Sequence, residues 1–228
     1  MGESQIECIA LGKQYTRNKQ TINVLNDINL TINLNEIVII KGRSGAGKST
    51  LLNLMCGLIK PTTGKVIIEN KCISELPNNE LSRLLSNHIG IIFQSFNLLP
   101  TYTIYENIEI AMVPDGSKPR LNKDVIMSLL EQFNLKEKAT LLPAELSIGQ
   151  QQKIAIIRTL VRQPSIIFAD EPTGSVDDET AGEILHHLKY LKEQKGATIV
   201  IATHGTVPES FADRVIFIEN GQIKSNKK

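Results

Sequence analysis

The chain has 228 residues, 41% of them hydrophobic, enough to bury a substantial core as one large domain or a core with a subdomain. Its 25 basic and 24 acidic residues give a formal net charge of +1, and the Lys and Arg are scattered, so no basic footprint for nucleic acid is expected. Three cysteines, Cys8, Cys56 and Cys72, lack CxxC spacing and read as reduced cytosolic thiols. No secretory leader is expected, and no apolar run approaches the ~20 residues of a membrane span.

In chain order, the first seventy-odd residues predict short strands and turns. "IECIALGKQY", "INVLNDINLTIN", "EIVIIKG" and "GKVIIENK" are rich in β-branched residues and punctuated by Asn and Gly. "EIVIIKG" runs into a glycine-rich loop, and "STLLNLMCGL" behind it has helical spacing. From Leu98 to Gln163 a helical insertion is expected, with Val125, Ile126, Leu129, Leu130 and Phe133 on one helix face. Inside it, "LSIGQQQK" begins a helix running from Ile148 to about Val161, with Ser147 as N-cap. After Pro164, "SIIFADEP" and "ATIVIATH" are continuous apolar runs separated by a helix that Gly196 stops, and "RVIFIENGQI" is a hairpin with an Asn-Gly turn. Apolar strands alternating with helices predict an α/β fold with a mostly parallel sheet covered on both faces.

"GRSGAGKS" matches the G-x-x-x-x-G-K-[ST] phosphate loop in the strand-to-helix context that motif needs. Gly42, Gly45 and Gly47 let the backbone curl so that successive N–H groups face a phosphate. Lys48 reaches the outer phosphates and the Ser49 hydroxyl ligates Mg²⁺; Arg43, Ser44, Ala46 and Thr50 complete the phosphate-binding run. Asp170 ends an apolar strand, where ligands bind in open α/β sheets, and would hold Mg²⁺ through water. Glu171 follows it, placed to polarise a water for attack on the γ-phosphate. His204 ends the other apolar strand at the same edge, beside that phosphate and Glu171, and is expected to contact the phosphate and orient the water, a structural histidine being the alternative. Gln94 in "GIIFQSF" is the first polar residue after its run and is a candidate for the Mg²⁺ shell or the attacking water; packing is the alternative. His88, His186 and His187 have no such placement and read as surface or packing residues.

A second anion-binding helix start, at Ser147, Gly149 and Gln150, lies far along the chain from the phosphate loop. Taken with the phosphate loop, Gln94, "FADEP", "SVDD" and His204, in that order, "LSIGQ" makes nearly the whole chain resemble the ATP-binding subunit of an ABC transporter. The resemblance implies a P-loop NTPase core with an N-terminal antiparallel β subdomain, residues 1–97 and 164–228, and an inserted helical signature subdomain, residues 98–163. It implies that Tyr15 stacks on adenine and that the cofactors are ATP and Mg²⁺. It also implies that two copies face each other head to tail, so that Ser147 and Gly149 of one cover the ATP held by the other. This sequence departs from the family's usual Leu-Ser-Gly-Gly-Gln by carrying Ile148, and it has Val176 where a leucine is more usual.

Within the family, "FQSFNLLP", "LSIGQQQK" and "DEPTGSVDDET" are most similar to the subunits of lipoprotein-release, macrolide-export and antimicrobial-peptide-resistance systems. The partners implied are a second copy of the chain, a separately encoded membrane permease and a periplasmic or extracellular adaptor. The place implied is the cytoplasmic face of the cell membrane, peripherally. Phe96–Tyr105 is then a permease-docking surface or, equally, buried core. The leading function is an ATPase that drives export or extraction; a regulatory module whose ATP-driven dimerisation gates a membrane partner carries the same motifs. A soluble ABC ATPase of DNA repair or translation is disfavoured by the single unit, the near-neutral charge and the lack of a zinc or coiled-coil insert.

Overall fold

The computed structural model describes residues 3–18, 20–115 and 119–227. Strands β1 (Ser4–Arg17) and β2 (Gln20–Asn33) form an antiparallel pair that β4 (Thr63–Ile68) and β5 (Lys71–Cys72) extend to a sheet ordered β2-β1-β4-β5. The expected short strands are 14 residues each. The punctuation read as turns forms bulges instead: Ala10 and Asp27 take φ of 46° and 49° near the shifts in register. The Asn29 side chain accepts from the N–H of Ala10 at 2.9 Å, so the irregular backbone keeps a partner and the strand continues.

The second sheet has six strands in the order β10-β9-β3-β8-β7-β6. Its members are β3 (Ile37–Lys41), β6 (Ile89–Ile92), β7 (Ile166–Asp170), β8 (Thr198–Thr203), β9 (Arg214–Glu219) and β10 (Gln222–Lys227). All pairs are parallel except β9–β10, the predicted hairpin, whose Asn220 and Gly221 take φ of 49° and 72°. A Cβ on Gly221 would lie 2.3 Å from the Val24 carbonyl oxygen, so this turn docks on β2 only because it has no side chain. Continuous burial along β3, β7 and β8 explains their unbroken apolar sequence, since both faces of the sheet are covered.

One face packs against the N-terminal sheet, α1 (Lys48–Met55) and α2 (Asn78–His88) in a cluster that includes Ile28, Leu54, Met55, Phe168 and Val200. The opposite face meets α3 (Ile104–Glu109), α4 (Pro119–Gln132), α5 (Ile148–Leu160) and α6 (Asp178–Lys195) around Ile126, Leu130, Ile156, Ile167 and Ile184. Helix α2 was not among the predicted elements, although Leu81, Leu84 and Leu85 supply its apolar stripe. The predicted face of α4 is narrower than expected: Ile126 and Leu130 are fully buried, Leu129 is partly covered and Val125 is 39% exposed. Phe133, just beyond the helix end, is buried and stacks on His187 with 3.8 Å between ring centroids, so His187 is a packing residue.

A buried ion pair ties the two sheets together. Arg214 on β9 donates from Nη2 to the Thr31 carbonyl of β2 at 2.6 Å and to Glu36 Oε2 at 3.1 Å. Its Nε stands 2.9 Å from Glu36 Oε1 without hydrogen-bond alignment, so that contact is purely coulombic.

Candidate active site

The parallel topology brings the carboxyl ends of β3, β6, β7 and β8 to one edge, and four sequence-predicted segments meet there. They line a cleft of about 630 Å³ bounded by Ser44, Gly45, Gly47, Lys48, Ser49, Thr50, Gln94, Glu171, His204 and Val24. The phosphate loop leaves β3 and enters α1, with Gly47 as the left-handed N-cap at φ 102°. A Cβ on Gly47 would sit 2.8 Å from Leu25 Cδ2 and 3.0 Å from the Val24 carbonyl oxygen, so both conformation and space demand glycine. Lys48 donates from Nζ to the carbonyls of Gly42 and Arg43 at 2.9 and 3.2 Å, holding its ammonium over the loop. Ala46 is buried and its N–H donates to the Arg43 carbonyl, which tightens the curl.

Glu171 is the most constrained acid of the site. It follows β7 at φ 48°, an uncommon conformation that costs about 1–2 kcal/mol for a residue with a side chain. Its N–H donates to the Ala202 carbonyl at 2.9 Å, and Thr203 Oγ1 donates to Oε2 at 3.1 Å. Oε1 lies 2.7 Å from His204 Nδ1, so the two strand-end residues form a pair with Glu171 8% exposed and the imidazole open to the cleft. Thr203 reaches Thr206 at 3.0 Å and Thr206 accepts from Thr173 at 3.1 Å, completing a hydroxyl chain beneath the carboxylate. Sequence reasoning missed these threonines, because a Thr at the end of an apolar strand reads as ordinary β-propensity.

Asp170 ends β7 beside Ser49. Burial holds its carboxyl above the usual carboxylate range; the nearby Glu171 adds to this, while Ser49 and Lys48 oppose it. Its Oδ1 is buried with no hydrogen-bond partner among the described residues. A desolvated, unpartnered acceptor next to a serine hydroxyl, with Gln94 and Ser49 also within reach of the neighbouring pocket, is a donor set that fits a hard cation such as Mg²⁺.

Ser147, Gly149 and Gln150 do not line this cleft. Ser147 caps α5 with a reciprocal capping box: its Oγ accepts from the Gln150 N–H at 3.3 Å, and Gln150 Oε1 accepts from the Ser147 N–H at 3.1 Å. The N–H groups of Ile148 and Gly149 have no acceptor within the helix. Ile148 is 57% exposed, whereas a Cβ on Gly149 would meet Thr180 Oγ1 at 3.3 Å in the first turn of α6. Gln152, one turn on, donates to the Pro172 carbonyl at 2.8 Å and so links α5 to the turn after Glu171.

Tyr15 lies outside the cleft lining, 44% exposed on β1 opposite Ile22, with Lys13 Nζ 5.1 Å from its ring. Val24, two residues along β2 from Ile22, lines the cleft instead, a placement set by the β1–β2 register and not legible in sequence. The Phe96–Tyr105 segment divides between its two readings: Leu99 and Tyr102 are exposed, Ile104 is fully buried, and Leu98 and Tyr105 pack on the core.

The cleft thus joins phosphate-loop residues, Gln94, Glu171 and His204 at one sheet edge. The family model described as ABC transporter matches residues 25–174. The chain belongs to the ABC transporter family. It is an ATP-binding subunit of that family, an ATPase whose cofactors are ATP and Mg²⁺. It is 41% identical over 214 residues to the ABC transporter ATP-binding protein YtrE of Bacillus subtilis, covering 94% of this chain and 92% of that one. It is 36% identical over its full length to the macrolide export ATP-binding/permease protein MacB of Pectobacterium atrosepticum, of which it spans only 35%. The ATP-binding cassette MJ0796 of Methanocaldococcus jannaschii, solved as a dimer, superposes with a TM-score of 0.93 at 36% identity, covering 98% of each chain. The same cassette has been solved as a dimer in a post-hydrolysis state bound to ADP and Pi.

Proposed function

We propose that this ABC subunit hydrolyses ATP in a head-to-tail dimer of two copies and thereby drives a separate membrane permease of the macrolide-export and lipoprotein-release type. The observation that carries the reading is the separation of two phosphate-binding structures in one chain. The phosphate loop lines the cleft through Ser44, Gly45, Gly47, Lys48 and Ser49, whereas the helix start at Ser147–Gly149 lies outside it. Each is exposed and weak by itself; a second copy would complete each cleft with the signature of its partner, excluding water and strengthening every charge contact within. MJ0796, which is solved as a dimer, supports this arrangement.

Within the cleft, the N–H groups of the phosphate loop and Lys48 bind the phosphates and Val24 lines the nucleoside side; Tyr15, outside the cleft lining, would stack on adenine only where the base projects beyond it. Ser49, Asp170 and Gln94 would hold Mg²⁺, which when bound neutralises phosphate charge. Glu171 accepts the proton of the attacking water on its carboxylate. His204, held against Oε1, keeps that carboxylate turned toward the γ-phosphate and contacts the phosphate itself. Thr203 fixes the other oxygen, so the base enters the reaction already oriented. Loss of the γ-phosphate removes what bridges the two copies, and the dimer opens.

Residues 98–163 act as the helical subdomain that carries the signature, with 1–97 and 164–228 as the nucleotide core. Among the described residues no helix is long and apolar enough to cross a membrane. The permease therefore supplies the span, and this subunit docks on its cytoplasmic side, in part through Leu99 and Tyr102. The test is the mass of Glu171→Gln by light scattering with and without ATP. A dimer that forms with ATP and is abolished by adding Ser147→Arg is expected; a variant that binds ATP but stays monomeric refutes the dimer for the isolated subunit.

A further inference from the structure

Gln94 sits in a segment that α5 grips from both sides. Before it, Thr159 Oγ1 donates to the Ile91 carbonyl of β6 at 3.0 Å. After it, Arg158 donates from Nη2 to the Phe96 carbonyl at 2.8 Å and from Nη1 to the Asn97 carbonyl at 2.6 Å. The backbone there is turned to receive the fork, with Asn97 at φ 50° and its Oδ1 accepting from Ser95 Oγ at 3.1 Å. Helix and strand approach so closely that a Cβ on Gly90 would lie 2.6 Å from Thr159 Cγ2.

Arg158 is unusual in what it does not do. Burial depresses the pKa of its guanidinium, and no carboxylate pairs with it among the described residues. A half-buried arginine that has no acidic partner among the described residues and places both fork nitrogens on successive carbonyls is committed to the shape of that loop. The same helix begins at Ser147. Over the ~16 Å from Ser147 to Arg158, at about 1.5 Å per residue, α5 is an uninterrupted rod with the signature at one end and the Gln94 segment clamped at the other.

We infer that Arg158 is a positioning residue that sets Gln94 according to the state of the signature helix, so that nucleotide bound across the dimer through Ser147 and Gly149 is felt at Gln94 in the chain's own cleft. The inference rests on the proposed head-to-tail dimer and on Gln94 serving the site. A rigid-body shift of α5 moves the Phe96 and Asn97 carbonyls, two and three residues past Gln94, by the same amount, because the fork admits only one arrangement of both bonds.

The test uses the full chain with Arg158→Met, which keeps much of the stem and removes the fork, and Arg158→Lys, which keeps the charge but can reach one carbonyl at a time. Expected for both variants is a kcat lowered about ten- to a hundredfold, the cost of misplacing a reacting group by about 1 Å. KM for ATP stays within about twofold, the Mg²⁺ concentration for half-maximal rate rises severalfold, and the dependence of rate on ATP loses any cooperativity the parent shows. ATP-dependent dimerisation of Arg158→Lys in the Glu171→Gln background is expected to persist, which separates this inference from the dimer itself: failure of Glu171→Gln alone to dimerise would count against the dimer, whatever Arg158 does. Full activity with unchanged Mg²⁺ dependence in Arg158→Met overturns the inference. So does complete rescue by lysine, which would reduce Arg158 to a charge, or a kcat loss matched by an equal rise in KM and a lowered melting temperature in both variants, which would make it merely structural.

Discussion

Replacing Arg214 with methionine is expected to destabilise the protein severely without touching the cleft. The guanidinium is 8% exposed and serves both the Thr31 carbonyl and the Glu36 carboxylate, itself 8% exposed. Methionine fills a similar volume but leaves a buried carboxylate and a carbonyl with lost partners; breaking one side of a buried pair costs about 3–5 kcal/mol. That is a large part of the roughly 5–15 kcal/mol that holds a domain folded. For a chain of this size each kcal/mol moves the melting temperature by about 2–4 °C, so a drop of about 6–20 °C is expected. Glu36 also accepts from the Asn33 N–H at 2.8 Å, which keeps part of its charge satisfied and places the expectation toward the lower half of that range. Thermal and urea unfolding measure the loss. Adding Glu36→Leu to Arg214→Met should restore much of it, because the stranded charge is then gone. A single-variant loss below about 1 kcal/mol would show that water reaches the pair and would refute the reasoning.

Glu171→Gln is expected to lower ATP turnover by about 10²–10⁴-fold while ATP still raises the melting temperature, measured by phosphate release and thermal shift; retained turnover would remove Glu171 as the base. Burial pushes the thiols of Cys8 and Cys56 up to about 12, so at pH 8 a disulfide reagent should titrate Cys72 alone, and all three cysteines only in denaturant; rapid native reaction of a second thiol would show that the core opens. The N–H and hydroxyl of Thr180 hold the Asp177 carboxyl below the usual range, so its cap on α6 is fully present above the ordinary carboxylate pKa and is lost as pH falls through the lowered one. Asp177→Ser should therefore flatten that part of the acid limb of the urea midpoint, and an unchanged limb would refute the assignment.

Local order was decided by local sequence. The phosphate loop, the Ser147 cap, the Asn220–Gly221 turn and the apolar strands β3, β7 and β8 are each specified within a few residues, because backbone conformation and burial of both sheet faces act at that range. For the same reason Asp170, Glu171 and His204 could be placed at strand ends from the alternation of strand and helix alone. Where the sequence misled, distant partners overruled local signals. Asn and Gly in β1 and β2 read as turns, but pairing across the hairpin absorbed them as bulges. Helix α2 and the exposure of Val125 depended on which neighbours covered each stripe. The hydroxyl chain beneath Glu171, the place of Val24 in the cleft, the Arg214–Glu36 tie and the grip of Arg158 on the Gln94 segment join residues far apart in the chain. Such contacts are fixed by strand order, register and the angle at which α5 lies on the sheet, quantities that no single segment of sequence contains.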